Sequence, residues 1–316
     1  MDRSAVVTSS AVELSIVIPI YNMAAIVPDI SARLLPILSD AAASYEIVLV
    51  DDGSRDDSWA AIVAAAAHPA IKGVKLSRNF GQQIAVSAGV ANARGNYLIV
   101  MDGDLQNPPE AVPEILARLK AGDDMVYTVS RTRNNRRDQW TSQLFWMVLT
   151  RLLGVDIIKD QLMMRGMSRR FAQLYDSYPE LTRTVAGISR DIGMRHSVLE
   201  VENQHRASGR SGYNFLKRFN LMLNIIISIT TAPLNFVIYL SLIVLVSTVL
   251  LSAWYIFNAL AFSVQSGFTS IMLAIFFFGS LTTLILGIMG LYLANIYLEV
   301  RRRPLFVVEE RTAAID

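Results

Sequence analysis

Short runs of β-branched and aliphatic residues, each closed by polar or acidic residues, alternate with longer helix-like stretches in the first third of the chain. Residues 14–20, 46–50 and 96–101 predict strands, and residues 26–38 and 57–67 predict helices between them. This alternation predicts an α/β fold built on a doubly wound, mostly parallel, Rossmann-like sheet. Ligands of such sheets sit at the carboxyl ends of the strands. The sequence puts Tyr21-Asn22, Asp51-Asp52 and Asp102-Gly103-Asp104 there. From about residue 125 to 212 the pattern turns to short strands and basic stretches, with Arg131, Arg133, Arg136 and Arg137 among them. This part reads as the acceptor side of the same domain.

A different pattern follows. Residues 219–298 contain no Asp, Glu, Lys or Arg, although 18% of the 316 residues are charged. With 53% hydrophobic residues and a mean hydropathy of +0.38, the chain is too apolar for an ordinary soluble protein and too charged to be membrane throughout. A helix of about 20 apolar residues spans a bilayer, so residues 234–259 and 269–293 predict two transmembrane helices. Lys217 and Arg218 precede the first, and Arg301, Arg302 and Arg303 follow the second. The positive-inside rule then puts both ends in the cytoplasm. Residues 213–232 begin basic and continue apolar, which suits an amphipathic helix in the membrane interface. The expected division is a cytoplasmic domain at 1–212, an interfacial helix at 213–232, a transmembrane hairpin at 233–298 and a cytoplasmic tail at 299–316. The first residues lack the layout of a signal peptide, in keeping with a cytoplasmic soluble domain.

The absence of cysteine rules out disulfides, thiolate catalysis and Cys-based zinc sites, and three scattered histidines disfavour a His-rich metal site. Any metal is therefore held by oxygen. Asp102 and Asp104 follow a predicted strand directly and can reach one hard cation together, with Mg²⁺ or Mn²⁺ bridging a diphosphate as the natural occupant. Asp-Gly-Asp by itself also makes turns. Arg131 and Arg133 alternate along a predicted strand and share a face, where two guanidinium groups would suit an acceptor phosphate.

Four segments occur in a fixed order: Ile18-Pro19-Ile20-Tyr21-Asn22, Val50-Asp51-Asp52-Gly53-Ser54, Ser77-Arg78-Asn79-Phe80-Gly81-Gln82, and the stretch from Met101 to Glu110 that contains Asp102, Asp104 and Gln106. With them the chain resembles the family 2 glycosyltransferases of the GT-A fold, and within these the polyprenyl-phosphate group. That group includes bactoprenol glucosyltransferases, undecaprenyl-phosphate aminoarabinose transferases and dolichyl-phosphate mannose synthases. The resemblance implies a membrane-bound inverting transferase that moves a sugar from a nucleotide-sugar, a UDP-sugar by preference, to undecaprenyl or another polyprenyl phosphate. By that likeness Pro19, Tyr21, Asp51 and Asp52 hold the base and ribose, and Asp102, Asp104 and Gln106 serve the metal and diphosphate. Asp104 and Asp160 are the implied catalytic pair, with Asp160 either a base or an orienting group for Arg165 and the acceptor phosphate. Arg206 and Ser211, in a Gly/Ser-rich loop before the interfacial helix, are implied phosphate ligands. The same composition also fits a plain linker.

The likeness further implies membrane lipid as a partner, no nucleic acid, and a homo-oligomer, for which a tetramer is one size. It places the active site on the cytoplasmic face of an inner membrane. The chain departs from the group's pattern at Met23, where Glu is frequent, at Leu162 and Met163, where Gly and Asp are frequent, and at Gly212, where Lys is frequent. A processive polysaccharide synthase would need a Gln-x-x-Arg-Trp segment and more spans, which the sequence lacks. A non-catalytic membrane scaffold of the same fold is opposed by the retained Asp102 and Asp104.

Overall fold

Strand β1 (Leu14–Ile20) is buried along its whole length, and its run is apolar except at Ser15, as suits a strand covered on both faces. The computed structural model describes residues 12–105, 107–130, 161–178, 188, 192–202, 267–301 and 303–312, with scattered residues between 237 and 257. These fall into two compact units. Residues up to 130, residues 161–202 and residues 303–312 form the first, and residues 237–301 belong to the second.

In the first unit β1 leads to α1 (Val27–Ala41), β2 (Tyr45–Asp51), α2 (Ser58–Ala65), β3 (Ile71–Leu76), α3 (Gln82–Asn92) and β4 (Tyr97–Val100). A short 3-10 turn at Pro109–Ala111 precedes α4 (Val112–Lys120), and β5 (Met125–Ser130) follows. Then come β6 (Gln161–Ser168), α5 (Arg169–Ser177) and β7 (His196–Val201). Among the described residues the sheet has eight strands in the order β7-β5-β6-β4-β1-β2-β3-β8, with β8 being Val308–Arg311. Its central pairs β4–β1, β1–β2 and β2–β3 are parallel, as the β-helix alternation predicts. Strand β6 runs antiparallel to both β4 and β5, and β5 pairs in parallel with β7. The predicted strands 14–20, 46–50 and 96–101 are thus β1, β2 and β4 with ends moved by one residue at most.

Residues facing one side of the sheet, such as Ile16, Ile18 and Ile99, form a core with Ile30 and Leu34 of α1 and Ile115 and Leu119 of α4. The opposite side, with Val17, Val50 and Val100, is closed by α3 and by Phe171 and Tyr175 of α5. Helix α3 reaches the sheet through small residues. A Cβ on Gly89 would lie 2.2 Å from Val17 Cγ1, so only glycine permits this approach. Helix α5 starts at Ser168, whose Oγ accepts from the Phe171 N–H at 3.2 Å.

Residues 303–312, expected within a tail, return to the sheet. β8 pairs antiparallel with β3, Trp59 Nε1 donates to Glu310 Oε2 at 3.0 Å, and the Gly73 N–H donates to Thr312 Oγ1 at 2.9 Å. In the second unit one helix, α6 (Phe268–Val300), is described at length. Its segment Phe277–Leu298 has a mean hydropathy of 1.8, and among the described residues none of it is buried and it is the one helix long and apolar enough to cross a bilayer. The first expected span lies largely outside the described residues, as does the interfacial helix.

Candidate active site

The carboxyl ends of β1, β2 and β4 meet around a cavity of about 440 Å³, a size in the range of small-molecule sites. Pro19, Ile20, Tyr21 and Met23 line it from the β1 end, and Asp52 from the β2 end. Asn79, Gly81 and Gln82 come from the β3–α3 connection, and Asp102, Gly103 and Asp104 follow β4. Apolar and aromatic residues from the β1 end and acidic ones from the β2 and β4 ends therefore line one cavity, with Gly103 packed against Pro19, Ile20 and Met23.

Each wall is fixed by local chemistry. Asn22 adopts a left-handed backbone, φ 52°, which lets its Oδ1 accept from the Arg55 N–H at 2.9 Å while its own N–H donates to Ser54 Oγ at 3.0 Å. The loops after β1 and β2 are thereby tied together. Gly53 continues this packing with φ 65°. A Cβ there would lie 2.3 Å from the Arg78 carbonyl carbon, so the close approach of the loops after β2 and β3 requires glycine. Asp52 accepts from the Phe80 N–H at 2.8 Å through one oxygen and from the Gly81 N–H at 2.9 Å through the other. Its carboxylate holds the loop that delivers Asn79 and Gln82. Burial and then the neighbouring Asp51 charge raise its pKa, against the pull of these two backbone donors. Asp51 is fully buried. Its Oδ1 accepts from the Ser54 N–H at 3.1 Å, and its Oδ2 has no hydrogen-bond partner among the described residues.

Past β4, Asp102 is gripped by two amides. Gln82 Nε2 donates to Oδ1 at 2.6 Å and Asn107 Nδ2 to Oδ2 at 3.1 Å. Burial raises the Asp102 pKa first and the charge of Asp104 second, while Asn107, Arg165 and Gln82 oppose the rise. Leu105 follows with φ 55°, an uncommon backbone for a bulky residue, and its side chain packs against the core. Two carboxylates crowded in this way offer hard oxygen donors whose mutual repulsion a divalent cation would relieve, so the residues fit Mg²⁺ or Mn²⁺. Among the described residues no cluster of three or more His, Cys, Asp or Glu side chains is placed to hold a metal.

Of the sequence-predicted residues, Pro19, Tyr21, Asp52, Asp102 and Asp104 line this one cavity, and Asp51 lies buried at the end of β2 beside Asp52. Arg165, expected among the acceptor-phosphate residues, lies on β6 with 5% exposure, directly across from Val100 of β4. Its Nε donates to the Met163 carbonyl at 3.0 Å and its Nη2 lies 2.8 Å from Met163 Sδ. Met163 and Met167, two residues to either side, share its face of the strand and pack in the core there. Gln106, Arg131, Arg133, Asp160, Arg206 and Ser211 lie outside the described residues. Sequence reasoning gave no role to Gln82 and Asn107, although both stand inside the segments that carry the resemblance.

The sequence profile described as Glycosyl transferase family 2 matches residues 15–195, which span all the strand ends just described. The chain belongs to glycosyl transferase family 2. Within this family it is 34% identical over 303 residues to an uncharacterised glycosyltransferase of Synechocystis sp., covering 95% of each chain. To the undecaprenyl-phosphate 4-deoxy-4-formamido-L-arabinose transferase of Shewanella sediminis it is 32% identical, covering 94% of this chain and 92% of that one. Among solved structures, glucosyl-3-phosphoglycerate synthase of Mycobacterium tuberculosis in complex with Mg²⁺ and UDP superposes with a TM-score of 0.51 at 18% identity, over 69% of this chain and 77% of that one. The same enzyme with Mn²⁺, UDP-glucose and phosphoglyceric acid gives 0.50 at 20% identity, over 69% and 78%. This likeness establishes the GT-A fold for the family 2 unit.

Proposed function

We propose that the chain is a metal-dependent, inverting, membrane-bound glycosyltransferase that moves a sugar from a nucleotide-sugar, a UDP-sugar by preference, to undecaprenyl or another polyprenyl phosphate. The single observation that carries this reading is the cavity itself. It joins an apolar and aromatic wall of Pro19, Tyr21 and Met23, suited to a base, to an acidic wall of Asp102 and Asp104, suited to a cation and the diphosphate. Asp51, buried beside Asp52 with an Oδ2 that has no hydrogen-bond partner among the described residues, is proposed to serve the nucleoside as well. The name of the Shewanella relative, over nearly the full chain, favours a polyprenyl phosphate as acceptor.

In this reading the phosphate oxygen of the lipid forms a bond to the anomeric carbon while the bond from that carbon to the nucleotide diphosphate oxygen breaks. The electron pair leaves with the diphosphate. When bound, Mg²⁺ or Mn²⁺ at Asp102 and Asp104 supplies charge compensation for that leaving group. The chain's own part is positional: Asp52 holds the Asn79–Gly81 loop, and Gln82 and Asn107 aim Asp102. A lipid phosphate has a second pKa near about 6, so its oxygen is largely ionised near neutrality and needs orientation more than deprotonation. Asp160, Arg131 and Arg133 are proposed for that orientation, and Gln106, Arg206 and Ser211 for the donor diphosphate. Helix α6 suits an anchor at the membrane that holds the acceptor, with the site on the cytoplasmic face of an inner membrane and a second span before it.

The test is incubation of the purified full chain with undecaprenyl phosphate and a panel of UDP- and GDP-sugars in Mg²⁺ or Mn²⁺, with lipids read by mass spectrometry. A lipid-phosphate-sugar from one donor supports the reading. No product from any donor, under conditions where the chain binds UDP, contradicts the acceptor.

A further inference from the structure

The chain returns from α6 to the sheet at a particular place. Strand β8 pairs antiparallel with β3, with Val308 opposite Leu76, the last residue of β3, and Arg311 opposite Val74. One residue before β8, the Val307 carbonyl accepts from the Ser77 N–H at 3.0 Å. The chain thus joins the sheet at the carboxyl ends of the central strands, the rim that carries the cavity. From there β3 runs into Asn79, Gly81 and Gln82, which line it. The junction is secured on three elements. Lys75 of β3 meets Glu309 at 3.3 Å, Trp59 of α2 donates to Glu310 at 3.0 Å, and Arg311 donates to Asn92 of α3 at 3.2 Å. Phe306 and Val308 pack against the core on the α3 side. The Thr312 N–H donates to the Gly73 carbonyl at 3.1 Å, and its Oγ1 accepts from the Gly73 N–H at 2.9 Å.

Little chain leads to this junction. Helix α6 ends at Val300 and Phe306 is already packed, so residues 301–305 are the whole connection. Extended, the stretch from Val300 to Phe306 spans about 22 Å at most, and Pro304 within it has a fixed φ. Anchoring alone needs no such attachment, because the chain already crosses into the second unit once, upstream of α6. A short second attachment adds something else. It limits how far the cavity rim can lift or turn away from the end of the helix. The headgroup layer, where a lipid phosphate sits, is only about 5–8 Å deep, so slack on that scale separates reaching the phosphate from missing it.

We propose that residues 301–308 form a strut of set length that holds the cavity rim at the headgroup level, so that an acceptor phosphate embedded in a bilayer is met only while the strut is short. Phe306 and Val308 are then positioning residues, acting through β3 and its connection to α3. The inference rests on the reading of α6 as a membrane anchor and goes beyond it, since an anchor alone sets no height.

The experiment inserts Gly/Ser residues between Pro304 and Leu305 of the full chain, held in phospholipid nanodiscs. Eight such residues add about 16 Å of mean reach, at least about twice the depth of the headgroup layer. The chain has no cysteine, so Arg55→Cys, at an exposed position in the loop after β2, carries a single dye, and energy transfer to a headgroup-labelled lipid reports the height of the rim. The insertion should lower that transfer. It should also slow turnover on embedded undecaprenyl phosphate by at least about tenfold, while a short-chain, water-soluble isoprenyl phosphate is used at the wild-type rate. The same eight residues placed after Asp316 should change neither readout. If the eight-residue chain does not melt like the wild type, a four-residue insertion is read in the same way. Unchanged energy transfer overturns the inference, and so does an equal loss on both acceptors, which would leave β8 a structural strand alone. A wild-type chain that forms no product from any nucleotide-sugar overturns the proposed reaction, and the strut is then judged on energy transfer. A wild-type chain that does not enter nanodiscs overturns the anchor reading and the inference with it.

Discussion

The two ends of the central strands treat charge in opposite ways. At the amino ends, every described charge that goes inward is matched. Glu46 accepts from Lys72 Nζ at 2.6 Å, from Ser15 Oγ at 2.6 Å and from the Arg94 N–H, and Ser15 Oγ accepts in turn from the Gly95 N–H at 2.7 Å. Arg169 donates to the carbonyls of Ala93 and Gly95, which fixes the same turn from the other side. Outside this cluster, Lys120 meets Glu13 at 2.5 Å and Arg195 meets Asp123 at 2.8 Å. At the carboxyl ends, carboxylates stand beside carboxylates, Asp51 with Asp52 and Asp102 with Asp104, and two non-glycine residues adopt left-handed backbones. One end spends its polar groups on holding β1, β2 and β4 in register. The other leaves its groups in conflict that a bound cation and ligand would resolve.

The sharpest break of that contrast is Asp104→Ala. Turnover should fall by roughly a hundred- to a thousand-fold, the scale for losing one group that serves developing charge, while the melting temperature barely moves. A product assay beside a thermal melt checks both halves. Glu46→Ala should do the reverse, because it strands the Lys72 ammonium in the core. A loss of about 3–5 kcal/mol is expected in denaturant unfolding, with UDP affinity of the folded fraction retained.

A chain ended at Pro304 lacks β8 and the packing of Phe306 and Val308. Its stability should drop by about 1.5–3 kcal/mol, on the scale of one large buried apolar side chain. UDP affinity should also weaken slightly, because the Ser77 N–H loses the Val307 carbonyl two residues before Asn79. The smallest effect is the response to pH. Burial alone would raise the Glu46 pKa, but the hydrogen bonds from Lys72, Ser15 and the Arg94 N–H hold it below its ordinary value of 4.5. A depressed carboxylate contributes stability that is fully present above the unfolded value and is lost as pH falls through the lower folded one. The wild type should therefore lose stability below about pH 4.5 by more than Glu46→Gln does, in melts run across that window.

The same contrast explains what the sequence makes legible. Strands β1, β2 and β4 are buried on both faces, so they read as apolar runs interrupted only by Ser15 and Glu46, and the functional ends of β2 and β4 stand out as abrupt acidic pairs. Strand β8, Val308–Arg311, is short, charged and mostly exposed at a sheet edge, and such a segment has no hydrophobic signature to read. Gln82 and Asn107 both donate to Asp102. Their role depends on two connections meeting across the sheet, which spacing along the chain does not reveal.

The most direct measurement is a calorimetric titration of UDP into the full chain in Mn²⁺, run on the wild type and on Asp104→Ala after both are shown to melt alike. The wild type should bind one UDP per chain, and Asp104→Ala should bind at least about tenfold more weakly, a loss of about 1.4 kcal/mol. Equal affinity in the two chains, or no UDP binding by the wild type, would contradict the assignment of the strand-end carboxylates to the cation and diphosphate.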